Sequence, residues 1–174
     1  MEGKTSTQTI ANKPDWQTLR DSLCDLPQPV ARPVLEVISD LPGTGKSFLS
    51  RQLAQQFPLV VLKSYALRKA LFPQPGYSGK ENARFYNANH PLIGYLLGQK
   101  IPVLLDATNL LETRRRRLYQ VADQNDAKLV VVQVDAPKAM VQRRLESRSQ
   151  DLHREDHSDA AWSVYKRMRS SAKK

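Results

Sequence analysis

Val34-Leu35-Glu36-Val37-Ile38-Ser39-Asp40-Leu41-Pro42-Gly43-Thr44-Gly45-Lys46-Ser47 is the stretch that decides the fold. Residues 34–39 are mostly apolar and β-branched and read as a strand. A glycine-rich turn ends that strand. Beyond it, Phe48, Leu49, Leu53 and Phe57 recur at the spacing of one helix face, so residues 46–57 read as a helix. A Gly-Lys-Ser placed between a strand and a helix is the setting in which a chain cradles phosphate. Glycines let successive N–H groups turn inward toward phosphate oxygens, and the helix N-terminus adds partial positive charge. Pro42, Gly43, Thr44, Gly45, Lys46 and Ser47 are therefore the expected nucleotide-binding residues. Lys46 can reach the terminal phosphates and the Ser47 hydroxyl can ligate magnesium. The expected ligands are a purine nucleotide, ATP, and Mg2+. An ordinary glycine-rich turn is the plainer alternative.

Outward from the loop, strands and helices alternate. Residues 59–62, 101–105 and 129–134 read as three further strands. Residues 66–72, 81–97, 112–124, 137–147 and 158–169 read as helices. Pro91 divides the second of these helices into two pieces, Gly98 suits its end, and Ser158 is a good N-cap for the last. This alternation implies right-handed crossovers and a three-layer α/β sandwich around a mostly parallel sheet of about four strands. Ligands of such sheets sit beyond the carboxyl ends of the strands. Residues 39–47, 63–68 and 106–109 all fall there. Asp106, closing the run Val103-Leu104-Leu105, can hold the same magnesium as Ser47 if the first and third strands are neighbours. A turn or helix-capping aspartate is the alternative.

Ahead of the first strand, residues 1–13 are polar and without periodicity. Residues 15–26 read as a short amphipathic helix carrying Trp16, Leu19 and Leu23. Pro27, Pro29 and Pro33 then make an extended linker. The division expected is an N-terminal segment, 1–33, and a nucleotide-binding domain, 34–174. With 174 residues the chain is long enough for one core. It has no membrane-length apolar run and no secretory signal, and its single cysteine, Cys24, cannot form an internal disulfide. A cytoplasmic, reducing setting is expected.

The net charge of +10 is concentrated. Residues 63–100 hold six bases against one acid, and residues 136–174 hold ten against five. Such a surface attracts phosphate-rich partners, although basic surfaces also serve solubility alone. Arg143, Arg144 and Arg148 lie on or just past one helix, and the polar run 149–157 suits a lid. Arginines there can clamp a transferring phosphoryl group. Arg114 to Arg117 cannot all face one way on a helix and read as solvated surface. His153 and His157 are four apart, but without a third ligand they make a poor metal pair.

From Val34 to about Arg169 the chain resembles small AAA-family ATP-binding proteins of the P-loop kinase type, relatives of polynucleotide kinases and zeta toxins. The resemblance rests on Leu41-Pro42-Gly43-Thr44-Gly45-Lys46-Ser47 (a Walker A loop), Leu67-Arg68-Lys69-Ala70-Leu71-Phe72, Val103-Leu104-Leu105-Asp106-Ala107-Thr108-Asn109, Arg143-Arg144-Leu145-Glu146-Ser147-Arg148 and Ser158-Asp159-Ala160-Ala161-Trp162-Ser163-Val164-Tyr165. It implies transfer of the terminal phosphoryl of a nucleoside triphosphate to a hydroxyl. Lys46, Asp106, Arg144 and Arg148 would serve the chemistry, Ser47 and Asp106 the metal, and Arg68 and Tyr65 the acceptor.

The chain departs from that pattern. Asp40 stands where the loop's first glycine belongs. Tyr65 stands three residues before Arg68, where such kinases carry the aspartate that takes the acceptor's proton. A phenol with a pKa of about 10 is a poor base at neutral pH, but positioning supplies most of the rate of phosphoryl transfer. Glu36 interrupts a strand expected to be central. The chain also stops soon after its last helix, where relatives often add a strand. The function expected is a kinase for an anionic acceptor, either a nucleic-acid end or a phosphorylated metabolite. A non-catalytic nucleotide-binding module and a basic nucleic-acid-binding protein are the alternatives.

Overall fold

The computed structural model describes residues 13–76, 78–108, 112–150 and 162–171. Four strands, β1 (Val34–Asp40), β2 (Val60–Lys63), β3 (Val103–Thr108) and β4 (Lys128–Gln133), form one sheet in the order β2-β3-β1-β4. Every pairing is parallel. Seven helices are described: α1 (Asp15–Asp21), α2 (Lys46–Gln56), α3 (Ser64–Leu71), α4 (Gly79–Gly98), α5 (Glu112–Gln124), α6 (Lys138–Gln150) and α7 (Trp162–Ser171).

Alternation along β1 separates the two faces of the sheet. Leu35 and Val37 join Val103, Leu105 and Ala107 of β3 in the main core, covered by α1, α3, α4 and α5. Ile38 and, by register, Asp106 point to the opposite face. There α2 packs, its Ser50 hydroxyl reaching Asp106. A second, smaller core of Val141, Leu145 and Tyr165 lies between α6 and α7. Leu41 of the phosphate loop packs against it, so the loop is part of that core's wall.

Two sequence expectations are corrected. Pro91 does not divide α4, which runs unbroken from Gly79 to Gly98. The proline costs only one internal N–H, and Asn87, whose carbonyl loses it, is exposed to water. Six apolar residues, Phe85, Ala88, Leu92, Ile93, Leu96 and Leu97, hold the helix on the core across the proline. A capping box between Ser78 and Glu81 fixes its start. The third strand also extends past its apolar run. Ile38, Ser39 and Asp40 pair with Asp106, Ala107 and Thr108, so Asp106 lies within β3 and not after it.

The first helix stops at Asp21, and the Ser22 hydroxyl donates to the Leu19 carbonyl at 2.6 Å. Leu19 is nonetheless fully buried in the main core. Arg84 on α4 grips the Asp15 carboxylate with two hydrogen bonds, at 2.6 and 2.7 Å. Those bonds hold the Asp15 carboxyl below its ordinary pKa. The segment before β1 is thereby fastened to the helix layer of the domain. The expected N-cap at Ser158 lies outside the described residues.

Glu36 sits mid-strand in β1, between Leu104 and Val130. Its Oε2 is buried without a hydrogen-bond partner among the described residues. Desolvation raises its pKa above the ordinary 4.5. A raised carboxylate pKa favours the folded protein when the group is protonated. The contribution is complete below the unfolded pKa and is lost as pH rises through the folded one. Glu36→Gln should therefore raise Tm at pH 7 by a few degrees, with the gain shrinking toward pH 4. Thermal unfolding at the two pH values checks this, and an equal gain at both would show that charge is not the cause.

Candidate active site

The loop between β1 and α2 begins at the carboxyl end of a central strand. Gly43 (φ +83°) and Gly45 (φ +117°) both adopt left-handed backbone that side chains resist. Space forbids a side chain at Gly43 as well. A Cβ there would lie 2.9 Å from Leu145 and 3.0 Å from Val141 on α6. Gly45 caps α2, and the N–H groups of Phe48 and Leu49 both reach its carbonyl at 3.1 Å. The loop is tied internally too. The Thr44 hydroxyl donates to Leu41 O at 3.0 Å, and Lys46 Nζ donates to the same carbonyl at 2.6 Å. Pro42, Gly43, Thr44 and Lys46 are all buried.

The β1–β3 register carries Asp106 to the start of α2. Ser50 Oγ lies 2.9 Å from Lys46 O and 3.3 Å from Asp106 Oδ2, its one hydroxyl hydrogen shared between the two acceptors. Ser47 and Ser50 are three apart and share a helix face. The structure thus links Asp106 through Ser50 to the Lys46 carbonyl in the first turn of α2. Ser50, fully buried, was not singled out in the sequence. Its spacing from Ser47 and Lys46 was the available signal.

Arg144 closes the loop from α6, its Nη1 donating to Thr44 O at 3.0 Å and Gly43 O at 3.4 Å. It grips the loop's backbone from the helix that follows β4. Arg143 is exposed. The side chain of Arg148 lies outside the described residues, as do Asn109, the lid beyond Gln150, and His153 with His157. Among the described residues no three His, Cys, Asp or Glu side chains form a metal cluster.

On the far side of Asp106, α3 begins directly from β2. Ser64 Oγ donates to the Asp106 carbonyl at 2.9 Å. Lys69 Nζ lies 4.7 Å from the centre of the Tyr65 ring. Arg68 is 5% exposed. Its Nη2 donates to Asn82 Oδ1 at 2.7 Å, and its guanidinium lies 4.2 Å from the centre of the Phe85 ring. Asn82 and Phe85 come from α4 and carry no sequence signal, because only the α3–α4 turn places them against Arg68. At the loop's start, the Asp40 carboxylate accepts from the N–H of Leu41 at 2.5 Å. The departure from glycine is thus used to brace the turn.

These features define a P-loop nucleotide-binding fold of the kinase type, and comparison with known proteins agrees. Residues 41–174 match the profile of the AAA_33 family, an AAA domain. The chain belongs to that family. It is 28% identical over 127 residues to an L-seryl-tRNA(Sec) kinase of Methanococcus maripaludis. That match takes in 70% of this chain and 49% of the relative, so the chain spans about half the relative's length. Among solved structures it resembles Chaetomium thermophilum Kti12 in complex with ADP-AlF3, with a TM-score of 0.61, 23% identity and 78% of each chain covered. It also resembles a chain of the Pnkp1/Rnl/Hen1 RNA repair complex, with a TM-score of 0.63 and 17% identity over 88% of this chain and 48% of that one. The last two likenesses concern the fold. No helix among the described residues is long and apolar enough to cross a membrane.

Gly43→Ala should be costly, because it meets both a left-handed backbone and the side chains of α6. Strain and overpacking together give an expected loss on the order of 2–4 kcal/mol. Gly79→Ala is the control, since a Cβ there meets nothing within 4 Å. Denaturant unfolding of the two variants checks the contrast, and equal stabilities would show that α6 does not press on the loop.

Proposed function

We propose that the chain is an ATP-dependent kinase that phosphorylates a hydroxyl of an anionic acceptor, of which a nucleic-acid end is the favoured kind. The observation that carries this reading is the link from Asp106 through Ser50 to the first turn of α2. That link sets a carboxylate beside the Lys46-Ser47 end of the loop. A nucleotide-binding loop alone would not need it. The family is one of P-loop kinase type, and the curated relative is a kinase.

The donor set suits both ATP and Mg2+. Gly43 and Gly45 keep the backbone bare where phosphates would approach. Ser47 and Asp106 offer the hard oxygen ligands that magnesium prefers. When bound there, the metal would neutralise charge on the terminal phosphates. Lys46 would bind the same phosphates from the helix side. Arg144 would keep the loop in its binding shape by holding the Gly43 and Thr44 carbonyls, and Arg148 would complete the lid. Arg68, oriented by Asn82 and Phe85, would hold an anionic group of the acceptor. The basic segments 63–100 and 136–174 favour such an acceptor over a neutral sugar. Names among the relatives point the same way: one phosphorylates an aminoacylated tRNA by its title, and another belongs to an RNA repair complex.

Lys46→Ala should weaken ATP binding by tenfold or more and remove turnover. Fluorescent-nucleotide titration checks binding, and labelled-phosphate transfer to pooled 5′-hydroxyl oligonucleotides and phosphorylated metabolites checks turnover. An unchanged ATP affinity would overturn the loop as the nucleotide site.

A second reading, a nucleotide-binding module without transfer, draws on Tyr65, which stands where an acceptor base is expected and lies against Lys69. The two readings separate in one variant. General-base help is worth about 100-fold or more. If transfer chemistry has decayed, Tyr65→Asp should raise turnover toward that factor. If the enzyme is already active with Tyr65 in a working role, the same change should lower turnover. We expect the loss, measured as kcat with ATP affinity unchanged.

A further inference from the structure

On the outer side of the main core, away from the α2 face, α4 and α5 diverge to leave a groove of about 170 Å³. His90 and Gly94 of α4 form one wall, and Arg117, Gln120 and Gln124 of α5, with Asn125 just past its end, form the other. Among the described residues no carboxylate lines it. The phosphate loop, Asp106 and Arg68 contribute nothing to it, so it is separate from the site above.

We propose that this groove docks a single-stranded stretch of RNA, seating one nucleotide of it. The size argues first. Pockets for whole cofactors run to about 300–1,000 Å³. This groove is smaller and open to solvent, so it suits one nucleotide unit of a chain that continues past it. Charge argues next. Arg117 makes no hydrogen bond or ion pair among the described residues, and it belongs to the basic run that opens α5. A guanidinium on the rim of a groove without acids is placed for a phosphodiester.

The remaining lining supplies recognition of a base. His90 stacks with Tyr86, ring centroids 5.8 Å apart and planes 30° from parallel. His90 is the ring that lines the groove, and a ring held in place by a stacked neighbour is a platform for an unstacked base. The Asn125 amide is fixed by its donation to Val121 O at 2.8 Å, which leaves its oxygen as an acceptor near Gly98. Gln120 and Gln124, one turn apart on α5, add amides that can donate or accept. Ring, amides and cation in one groove match a single-stranded nucleotide better than a peptide, which Arg117 would favour only if acidic.

The purpose of this docking rests on the reading of the acceptor as a nucleic acid, but its test does not. Fluorescence anisotropy of a labelled single-stranded RNA of about 20 nucleotides measures binding to the full chain at low and moderate salt. Arg117→Ala should weaken binding about fivefold and flatten the slope of log K against log salt by about 1. His90→Ala should weaken it by a similar factor with the salt slope unchanged, because stacking releases no counterion. Lys138→Ala, the same loss of charge on the exposed start of α6, should change binding less than twofold. All three variants should keep the parent's Tm and ATP affinity, and Lys46→Ala should keep its RNA affinity while losing ATP. Equal effects of Arg117→Ala and Lys138→Ala would overturn the proposal in favour of bulk charge. Competition by AMP as effective as by RNA would overturn it in favour of a free nucleotide, and no measurable RNA binding at low salt would overturn it outright.

Discussion

The parallel pairing of β1 with β3 is the constraint on which the rest depends. It sets Ile38 against Asp106 and so delivers a carboxylate to the face on which α2 begins. One register step would turn Asp106 into the apolar core and bring Leu105 or Ala107 to the loop, because strand side chains alternate. The burial of Leu35, Val37, Val103 and Leu105 on the other face forbids that slip. Site geometry is thus enforced by hydrophobic burial on the opposite side of the sheet. The bond from Ser50 to Asp106 records the alignment that results.

A second dependence runs through the loop itself. Gly43 is pressed by Val141 and Leu145, and Arg144 holds two loop carbonyls. All three residues lie within one turn and a half of α6. That helix in turn shares its small core with Tyr165 of α7, whose ring stacks on Trp162 at 4.8 Å. The shape of the phosphate cradle therefore depends on elements about 100 residues later in the chain. A change on α7 can reach the nucleotide through packing alone.

Three of the four departures from the family pattern, those at single residues, have distinct physical characters. Asp40 is accommodated, because its carboxylate braces the turn by accepting from the N–H of Leu41. Glu36 is tolerated at a cost, with a desolvated oxygen and a raised pKa. Tyr65 lies at the start of α3, one turn from Arg68 and beside the β2 end that faces Asp106, so it is the departure on which the proposed transfer chemistry turns.

Much was legible in the residues. Gly43-Thr44-Gly45-Lys46-Ser47 needs no tertiary information, since its conformational demands are local and its strand and helix flanks follow from periodicity. The parallel sheet and the adjacency of β1 and β3 also followed, because alternating elements and a shared ligand leave few topologies. The unbroken α4 was not legible. Local chemistry reads Pro91 as a break, whereas the apolar face from Phe85 to Leu97 is rewarded only once a core exists to receive it. Nor was the setting of Arg68 legible, because Asn82 and Phe85 reach it only through the turn between two helices. The role of Arg144 was legible in kind and not in detail. A basic helix after the fourth strand announces an anion or an oxygen to hold, but which oxygen depends on how closely α6 settles on the loop. Residue type and spacing determine what chemistry is available; the packing of one element on another decides which atoms it meets.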